Sequence, residues 1–229
     1  MKRVFDMLGA LVGLVVLSPL LLLLWIAVVV ESGLPGLFRQ RRVGRFGRDF
    51  VLLKFRSMTQ GGRTADGRRQ TADQRGQETG DRRQGAGGQQ PIANGNVDGG
   101  SFEAGNASRV TRVGRFLRKT KLDELPQLWN VLKGDMALVG PRPEVRKWVE
   151  VYPERWAKVL TIRPGITDPA SIEFRNEEEL LANSPDPERM YRDEILPRKL
   201  ALYEQYVATR SFRGDMEILV KTVWAVVGR

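Results

Sequence analysis

Residues 7–30 read MLGALVGLVVLSPLLLLLWIAVVV, 24 positions without a charge, rich in Leu and Val and interrupted near the midpoint by Ser18-Pro19. A run of this kind meets the requirement of roughly 20 apolar residues for crossing a bilayer as a helix. Pro19 has no N–H, and its ring clashes with the carbonyl of Val15, so a break is expected there. Ser18 is placed to hydrogen-bond a carbonyl that the proline frees, and Trp25 to lie near the interface as the second half emerges. Lys2 and Arg3 precede the run, while Arg39, Arg41, Arg42, Arg45 and Arg48 follow it. A straight span would therefore put positive charge on both sides of the membrane, whereas a hairpin that enters and leaves by the cytoplasmic face satisfies both flanks. A spanning helix kinked at Pro19 is the alternative. A cleaved signal peptide fits less well, because the run is too long and no small-residue cleavage site follows it.

Beyond this segment the chain of 229 residues is basic, with 37 Lys+Arg against 27 Asp+Glu, which favours phosphates, nucleic acid or anionic headgroups as partners. There is no cysteine, which removes disulfides, thiolate metal sites and Cys nucleophiles. There is no histidine either, so the commonest general base and zinc ligand are missing. Any chemistry must rest on carboxylates, Lys, Arg, hydroxyls or an oxygen-bound cation.

Between residues 60 and 108 the composition changes: half of the 24 glycines fall here, among Arg, Gln and Asp, and Ile92, Val97 and Phe102 are the large apolar residues. Such a segment cannot bury enough surface to offset its ordering entropy, so a flexible solvated insert is expected. A nucleic-acid-binding arm is disfavoured, since its arginines alternate with acidic residues and lack interleaved aromatics.

Ahead of the insert, residues 50–55 have the length and branched apolar content of a short strand, ending at Lys54-Phe55-Arg56-Ser57-Met58. After it, Arg109, Arg112, Arg115, Arg118, Lys119 and Lys121 lead into Leu122-Asp123-Glu124-Leu125-Pro126, while Val113, Phe116 and Leu117 keep a helical spacing. Cations running into two adjacent carboxylates suit a place where phosphates meet a metal ion, although a solvated basic face has the same pattern. Leu125, Leu128, Trp129 and Leu132 define an apolar helical face that stops at Gly134, with Pro126 in the first turn. Asp123 and Glu124 then lie near a helix N-terminus, where free N–H groups and the macrodipole favour negative charge and could steady a phosphate, unless Asp123 is simply the N-cap. Pro141-Arg142-Pro143 and Arg163-Pro164-Gly165 each hold an arginine on a stiff turn, suited to phosphate oxygens. Met216, Leu219, Val220, Val223, Trp224 and Val227 form one apolar face of a last helix, either covering the core or lying in the membrane interface.

Taken together, Lys54 to Met58, Arg118 to Met136 and Leu138 to Glu144 closely resemble the bacterial sugar transferase family, the monotopic phosphoglycosyl transferases that start surface-glycan assembly. The Ser-Pro-broken apolar segment, Phe38 to Gly44, the Arg-Pro-Gly-Ile-Thr turn and residues 211–223 fit the same family. What the resemblance implies is a sugar 1-phosphate moved from a UDP-sugar to a polyprenol phosphate such as undecaprenyl phosphate. Asp123 matches the covalent nucleophile, which releases UMP, and Glu124 the partner that holds Mg²⁺. Lys54, Arg118 and Arg142 match cations around the phosphates, and Arg163 a position linked to the nucleotide. A carboxylate needs no base to act as a nucleophile at neutral pH, which suits a chain without His or Cys.

The expected fold is α/β, mostly helical: a re-entrant membrane helix-hairpin over 1–36, then a catalytic domain with few strands over 37–229, carrying the insert 60–108 and amphipathic interfacial helices. The expected place is the bacterial plasma membrane, with the catalytic domain facing the cytoplasm and lipid, donor and acceptor as partners. Nucleic acid is not expected, and a homodimer is left open. One departure stands out: after Arg-Pro-Gly-Ile-Thr the family commonly has Gly and a short apolar-Ala-Gln stretch, whereas this chain has Asp168-Pro169-Ala170-Ser171-Ile172, which bears on sugar preference. Two rivals are a basic membrane-anchored scaffold without catalysis, and the catalytic part of a larger polytopic relative with a spanning helix.

Overall fold

The computed structural model describes residues 2–59 and 109–227, so the expected insert lies outside the described residues. The apolar run forms two helices, α1 (Lys2–Val16) and α2 (Ser18–Ser32), bent by 64° where they meet at Leu17. Pro19 lies in the first turn of α2, where a missing donor is tolerated, and Ser18 Oγ donates to the Val15 carbonyl at 2.7 Å. The two arms open as a V instead of folding back side by side. Among the described residues no single helix is long and apolar enough to cross a membrane.

The inner face of the V packs on the rest of the protein. A Cβ at Gly9 would come within 2.9 Å of Leu138, and one at Gly13 within 3.2 Å of Leu128, so these two glycines let α1 approach closely around the buried Ala10. Leu24 and Val28 of α2 are buried with Phe55 and Leu117. On both arms large apolar side chains are exposed, among them Leu8, Val12, Val15, Val16, Leu22, Leu23 and Val30, more than a water-facing helix pair would carry.

Both ends of the V are tied down by polar contacts. Lys2 Nζ donates to the Val139 carbonyl at 3.0 Å and pairs with Asp215, while Arg3 donates to the Val131 and Leu132 carbonyls at 2.7 and 3.1 Å. Asp6 accepts from the Leu138 amide at 3.2 Å. At the other end Arg56 donates to Ser32 Oγ and the Gly33 carbonyl, and Glu31 accepts the amides of Arg112 and Val113 at 2.8 and 2.9 Å. Lys2 and Arg3, read from sequence as a membrane flank, are therefore engaged inside the fold.

After the V comes an antiparallel hairpin, β1 (Leu37–Val43) and β2 (Asp49–Phe55), with Leu37 opposite Phe55 and Val43 opposite Asp49. Past residue 109 follow α3 (Arg112–Thr120), a 3₁₀ turn at Leu122–Glu124, α4 (Gln127–Lys133) and β3 (Ala137–Val139). Next are α5 (Arg146–Val149), α6 (Pro153–Val159) and β4 (Gly165–Thr167), the last parallel to β3. The chain closes with α7 (Pro169–Glu173), α8 (Glu177–Ala182), α9 (Pro187–Met190), a π turn at Tyr191–Ile195, α10 (Leu196–Thr209) and α11 (Phe212–Val227). The architecture is α/β and mostly helical, as expected.

The main core gathers Trp148, Trp156, Leu181, Tyr191, Leu196, Leu200 and Tyr203 from α5 through α10. The chain ends on either side of the insert meet: Met58 bridges Val110, and the Thr59 amide donates to the Arg109 carbonyl at 3.0 Å. With its ends pinned, the intervening length has little effect on this part of the fold. Two apolar patterns divide between core and surface. Phe116 is exposed while Leu117 beside it is fully buried, because α3 turns Leu117 toward Phe55. The apolar face of α11 divides: Ile218 and Leu219 pack near Val139, Ile162 and Tyr206, whereas Val220, Val223 and Trp224 point away from the protein.

Candidate active site

Asp123 and Glu124 lie in the 3₁₀ turn between α3 and α4, which starts from Lys121 in the left-handed conformation (φ 57°). The N-cap position of α4 belongs to Pro126, so Asp123 is not the cap of that helix. Both carboxylates are buried, at 7% and 8% exposure, which is unusual for charged side chains unless they are paired. Their surroundings differ. Glu124 is gripped at both oxygens by the Arg142 guanidinium, with Nη1 donating to Oε2 at 3.1 Å and Nη2 to Oε1, and Lys54 Nζ stands 3.6 Å from Oε1. Asp123 Oδ1 is buried and has no hydrogen-bond partner among the described residues.

These contacts set the protonation states. Burial pushes the Glu124 carboxyl upward, but Arg142 and then Lys54 outweigh it and hold the group well below the usual carboxylate range. The Glu124 charge in turn raises Arg142 further, against the effect of burial. Burial lowers the Lys54 ammonium, partly offset by Glu124. Asp123 goes the other way: burial raises it and the Glu124 charge adds to the rise, with Lys54 opposing. Two adjacent carboxylates thus have their affinities for protons driven apart, an arrangement typical of functional sites.

Each cation arrives on a fixed support. Lys54 sits on β2, which α4 holds through Asn130: Nδ2 donates to the Val51 carbonyl at 2.7 Å, and Oδ1 accepts from the Leu53 amide at 3.1 Å. Arg142 follows Gly140, whose amide donates to the Thr167 carbonyl at 3.0 Å, and Pro141, whose carbonyl accepts from the Gly165 amide at 3.0 Å. Arg142 also feels the charge of fully buried Asp168, whose carboxylate accepts from the Ser171 amide at 2.9 Å and caps α7.

A cavity of about 350 Å³ opens beside Glu124, lined also by Lys121, Arg142, Thr167, Ser171 and Lys199 among others. Its apolar wall includes Leu122, Leu125 and Leu128, which share their packing with Leu14, Leu17, Leu20 and Leu21 around the break of the V. The segment after the Arg-Pro-Gly-Ile-Thr turn is the N-terminus of α7, and Ala170, Ser171 and Ile172 all face this cavity.

Of the residues singled out from sequence, the structure thus brings together Asp123, Glu124, Lys54 and Arg142. Arg118 stands at the rim, its guanidinium 3.0 Å from Glu178 of the cavity wall. Arg163 is not in the cluster: its Nε donates to the Gly134 carbonyl at 2.8 Å, at the far end of α4. Ser18 and Pro19 form the break. Sequence reading missed Asn130 and Lys199, and it noted Asp168 only as a departure from the family pattern. Asn130 carried a signal, a polar residue inside an apolar helical pattern; Lys199, buried and bonded to Glu177 at 3.0 Å, carried none.

The residues fit a hard cation of the kind bound through one or two carboxylates and substrate phosphates, since Asp123 presents a buried oxygen without a partner beside the Glu124 carboxylate. Among the described residues there is no third acidic group to complete a cage made of protein alone.

The whole chain, residues 1–229, matches the family described as bacterial sugar transferase. The chain belongs to the bacterial sugar transferase family. It is 35% identical over 229 residues to an undecaprenyl-phosphate galactose phosphotransferase of Salmonella typhimurium, covering 100% of this chain and 41% of that protein. It is 34% identical to a UDP-glucose:undecaprenyl-phosphate glucose-1-phosphate transferase of Caulobacter vibrioides, covering 97% of this chain and 68% of the relative. An exopolysaccharide production protein of Rhizobium meliloti is 33% identical, with 98% of this chain and 84% of that one aligned. Bacterial sugar transferases therefore come in longer and shorter forms, and the chain spans about two-fifths of the length of the first of these relatives.

Proposed function

We propose that this chain is a phosphoglycosyl transferase that moves a sugar 1-phosphate from a UDP-sugar to undecaprenyl phosphate or a similar polyprenol phosphate, through a covalent intermediate on Asp123. The observation that carries this reading is the buried Asp123 oxygen without a hydrogen-bond partner, beside a Glu124 clamped by two cations. Leaving such an oxygen unpartnered costs about 1–3 kcal/mol, so a group of this kind calls for an explanation in reactivity. The names of the Salmonella and Caulobacter relatives point to the same acceptor lipid.

In the first step an Asp123 carboxylate oxygen attacks the phosphorus attached to the sugar. A P–O bond forms to Asp123, the bond to the bridging diphosphate oxygen breaks, and UMP leaves with that electron pair. In the second step a phosphate oxygen of the polyprenol phosphate attacks the same phosphorus. The aspartyl P–O bond breaks, Asp123 regains its carboxylate, and the sugar is left on a polyprenyl diphosphate. Both steps bring an anion to an anion, and Lys54 and Arg142, carried on a held strand and a proline-stiffened turn, supply positive charge beside the carboxylates. Mg²⁺, held by Glu124 with Asp123 nearby, would neutralise diphosphate charge when bound.

The V serves this chemistry as a re-entrant membrane element over residues 1–36, with the catalytic part over 37–229. Both its ends are bonded to the same folded body, which supports their lying on one side of a bilayer. Each arm has 15 residues, or about 22 Å at the α-helical rise. A 64° bend then carries the apex about 12 Å below the ends, within one leaflet of a core about 30 Å thick. Exposed Val220, Val223 and Trp224 on α11 suit the interface, and exposed Arg39, Arg41, Arg48, Arg112 and Arg115 suit a cytoplasmic leaflet.

Intact-protein mass spectrometry tests the reading: the detergent-solubilised chain is incubated with Mg²⁺ and a panel of UDP-sugars, beside Asp123→Asn. A sugar-phosphate adduct on the native chain alone is expected, and the donor that gives it names the sugar. No adduct together with no UMP on adding polyprenol phosphate would leave a non-catalytic anchored scaffold as the function.

A further inference from the structure

Glu124 and Arg142 are each other's main partner: the guanidinium fork covers both carboxylate oxygens, and Lys54 reaches the same carboxylate at 3.6 Å. A carboxylate neutralised in this way is a poor ligand for a cation, and a guanidinium so engaged is a poor ligand for a phosphate. The backbone cannot relieve the conflict, because Pro141 and Pro143 restrict the chain around Arg142 and the Gly140 and Gly165 amides are both bonded across the turn. Movement is left to the side chain, which bonds Glu124 and also feels the charge of buried Asp168.

We infer that Arg142 is a positioning residue with two alternative partners: it occupies Glu124 in the free protein and moves to the diphosphate of an arriving nucleotide, which releases Glu124 to a divalent cation. The inference rests on the transferase reading above. Either ligand alone must break the ion pair, leaving Glu124 with Lys54 alone or Arg142 without its carboxylate, whereas both together exchange one pair for two. Nucleoside diphosphate and divalent cation therefore bind with positive coupling, and by linkage each strengthens the other equally. Asp123 has no part in the pair, and its Oδ1 has no hydrogen-bond partner among the described residues.

The test is calorimetric titration of UDP into the full-length detergent-solubilised protein in EDTA, so that no metal takes part. Glu124→Gln frees Arg142 and is expected to bind UDP at least about tenfold tighter than the native chain. Glu124→Gln with Arg142→Met is expected to lose that gain. Asp123→Asn, which removes an equal charge one residue away without freeing Arg142, is expected to show far less of it. Equal affinity in the native and Glu124→Gln proteins overturns the inference, as does a gain that survives Arg142→Met, since that would be a general charge effect. A second measurement titrates Mn²⁺ by electron paramagnetic resonance without nucleotide. Arg142→Lys keeps the charge but cannot cover both oxygens, so tighter Mn²⁺ binding than native is expected, and equal binding overturns the exchange. If neither the native chain nor Glu124→Gln binds UDP, the transferase reading itself falls and takes the inference with it. If both bind it equally well, only the coupling falls.

Discussion

Asn130→Ala should separate the placement of Lys54 from the chemistry it serves. The Asn130 side chain is 2% exposed and satisfies two backbone groups of β2, the Val51 carbonyl and the Leu53 amide. Removing it leaves both without a protein partner, at about 1–3 kcal/mol each when buried. Val51 is exposed and Leu53 half-buried, so water can reach the strand, which puts the sum near the low end, about 2–3 kcal/mol. For a chain of this size that corresponds to a fall in melting temperature of about 4–12 °C. Lys54 follows Leu53 directly, so loosening the strand also loosens the cation 3.6 Å from Glu124. The assay pairs thermal unfolding in detergent with UMP release at saturating acceptor. Lower stability together with a lower turnover rate is expected. Asn130→Asp keeps the acceptor for Leu53 but sets a carboxylate against the Val51 carbonyl, and should do no better than Ala. An Asn130→Ala protein that melts within a degree of native and keeps full turnover would show that β2 is held in place by other contacts.

Asp123→Asn should abolish the covalent adduct while raising thermal stability at neutral pH. The folded protein raises the Asp123 carboxyl above its unfolded value, so its ionisation opposes folding: the gain from Asn is full above the raised value and vanishes below the ordinary one, near pH ~3.9. Melting curves at neutral and acid pH check this, and a gain that grows toward acid would contradict it. Gly114→Ala should unfold more easily by about 4–10 °C, because the added Cβ collides with the Ser57 backbone carbonyl where α3 crosses the end of β2; calorimetry reads the shift, and an unchanged melting temperature would show that the crossing gives way freely. Single cysteines at Lys2→Cys and Leu34→Cys, probed with an impermeant maleimide on spheroplasts and on inverted vesicles, should both report the cytoplasmic side. Labelling from opposite sides would rule out the re-entrant V.

The features legible in the sequence were those whose cause is local. Pro19 breaks a helix wherever it sits in mid-run, and Gly134 ends α4 in the left-handed conformation. Other features depended on partners far along the chain. The apolar pattern at Leu125, Leu128, Trp129 and Leu132 suggested one buried stripe, yet Trp129 is 54% exposed while Gln127, Asn130 and Val131 are buried. Apolar residues surround much of this short helix, so periodicity alone could not say which side met β2. Asn130, the polar residue that did face the strand, was the better guide. Likewise Arg163 shared a proline-glycine turn with the motif that holds Arg142, but only the fold shows that it binds the end of α4 instead of the carboxylates. Sequence proximity placed Asp123 beside Glu124, and only three-dimensional packing gave one two cations and left the other's oxygen unpartnered.

The bend at Leu17 and the position of the carboxylates follow from one packing arrangement. Leu14 and Leu17 at the end of α1 pack with Leu128, and Leu20 and Leu21 at the start of α2 pack with Leu122 and Leu125, so the turn bearing Asp123 and Glu124 rests against the break itself. A straight helix through Pro19 would displace the far end of α2 by about 23 Å, well beyond reach of the contacts that Arg56 and Glu31 make there. The proline therefore lets one apolar segment pack against two sides of a body, with the turn bearing the two carboxylates between them. On the proposed re-entrant arrangement, that geometry would hold the carboxylates on the body side of the break, between the two arms. A spanning helix would have to hold that turn against one arm alone, without the second set of leucines or the polar contacts at its far end.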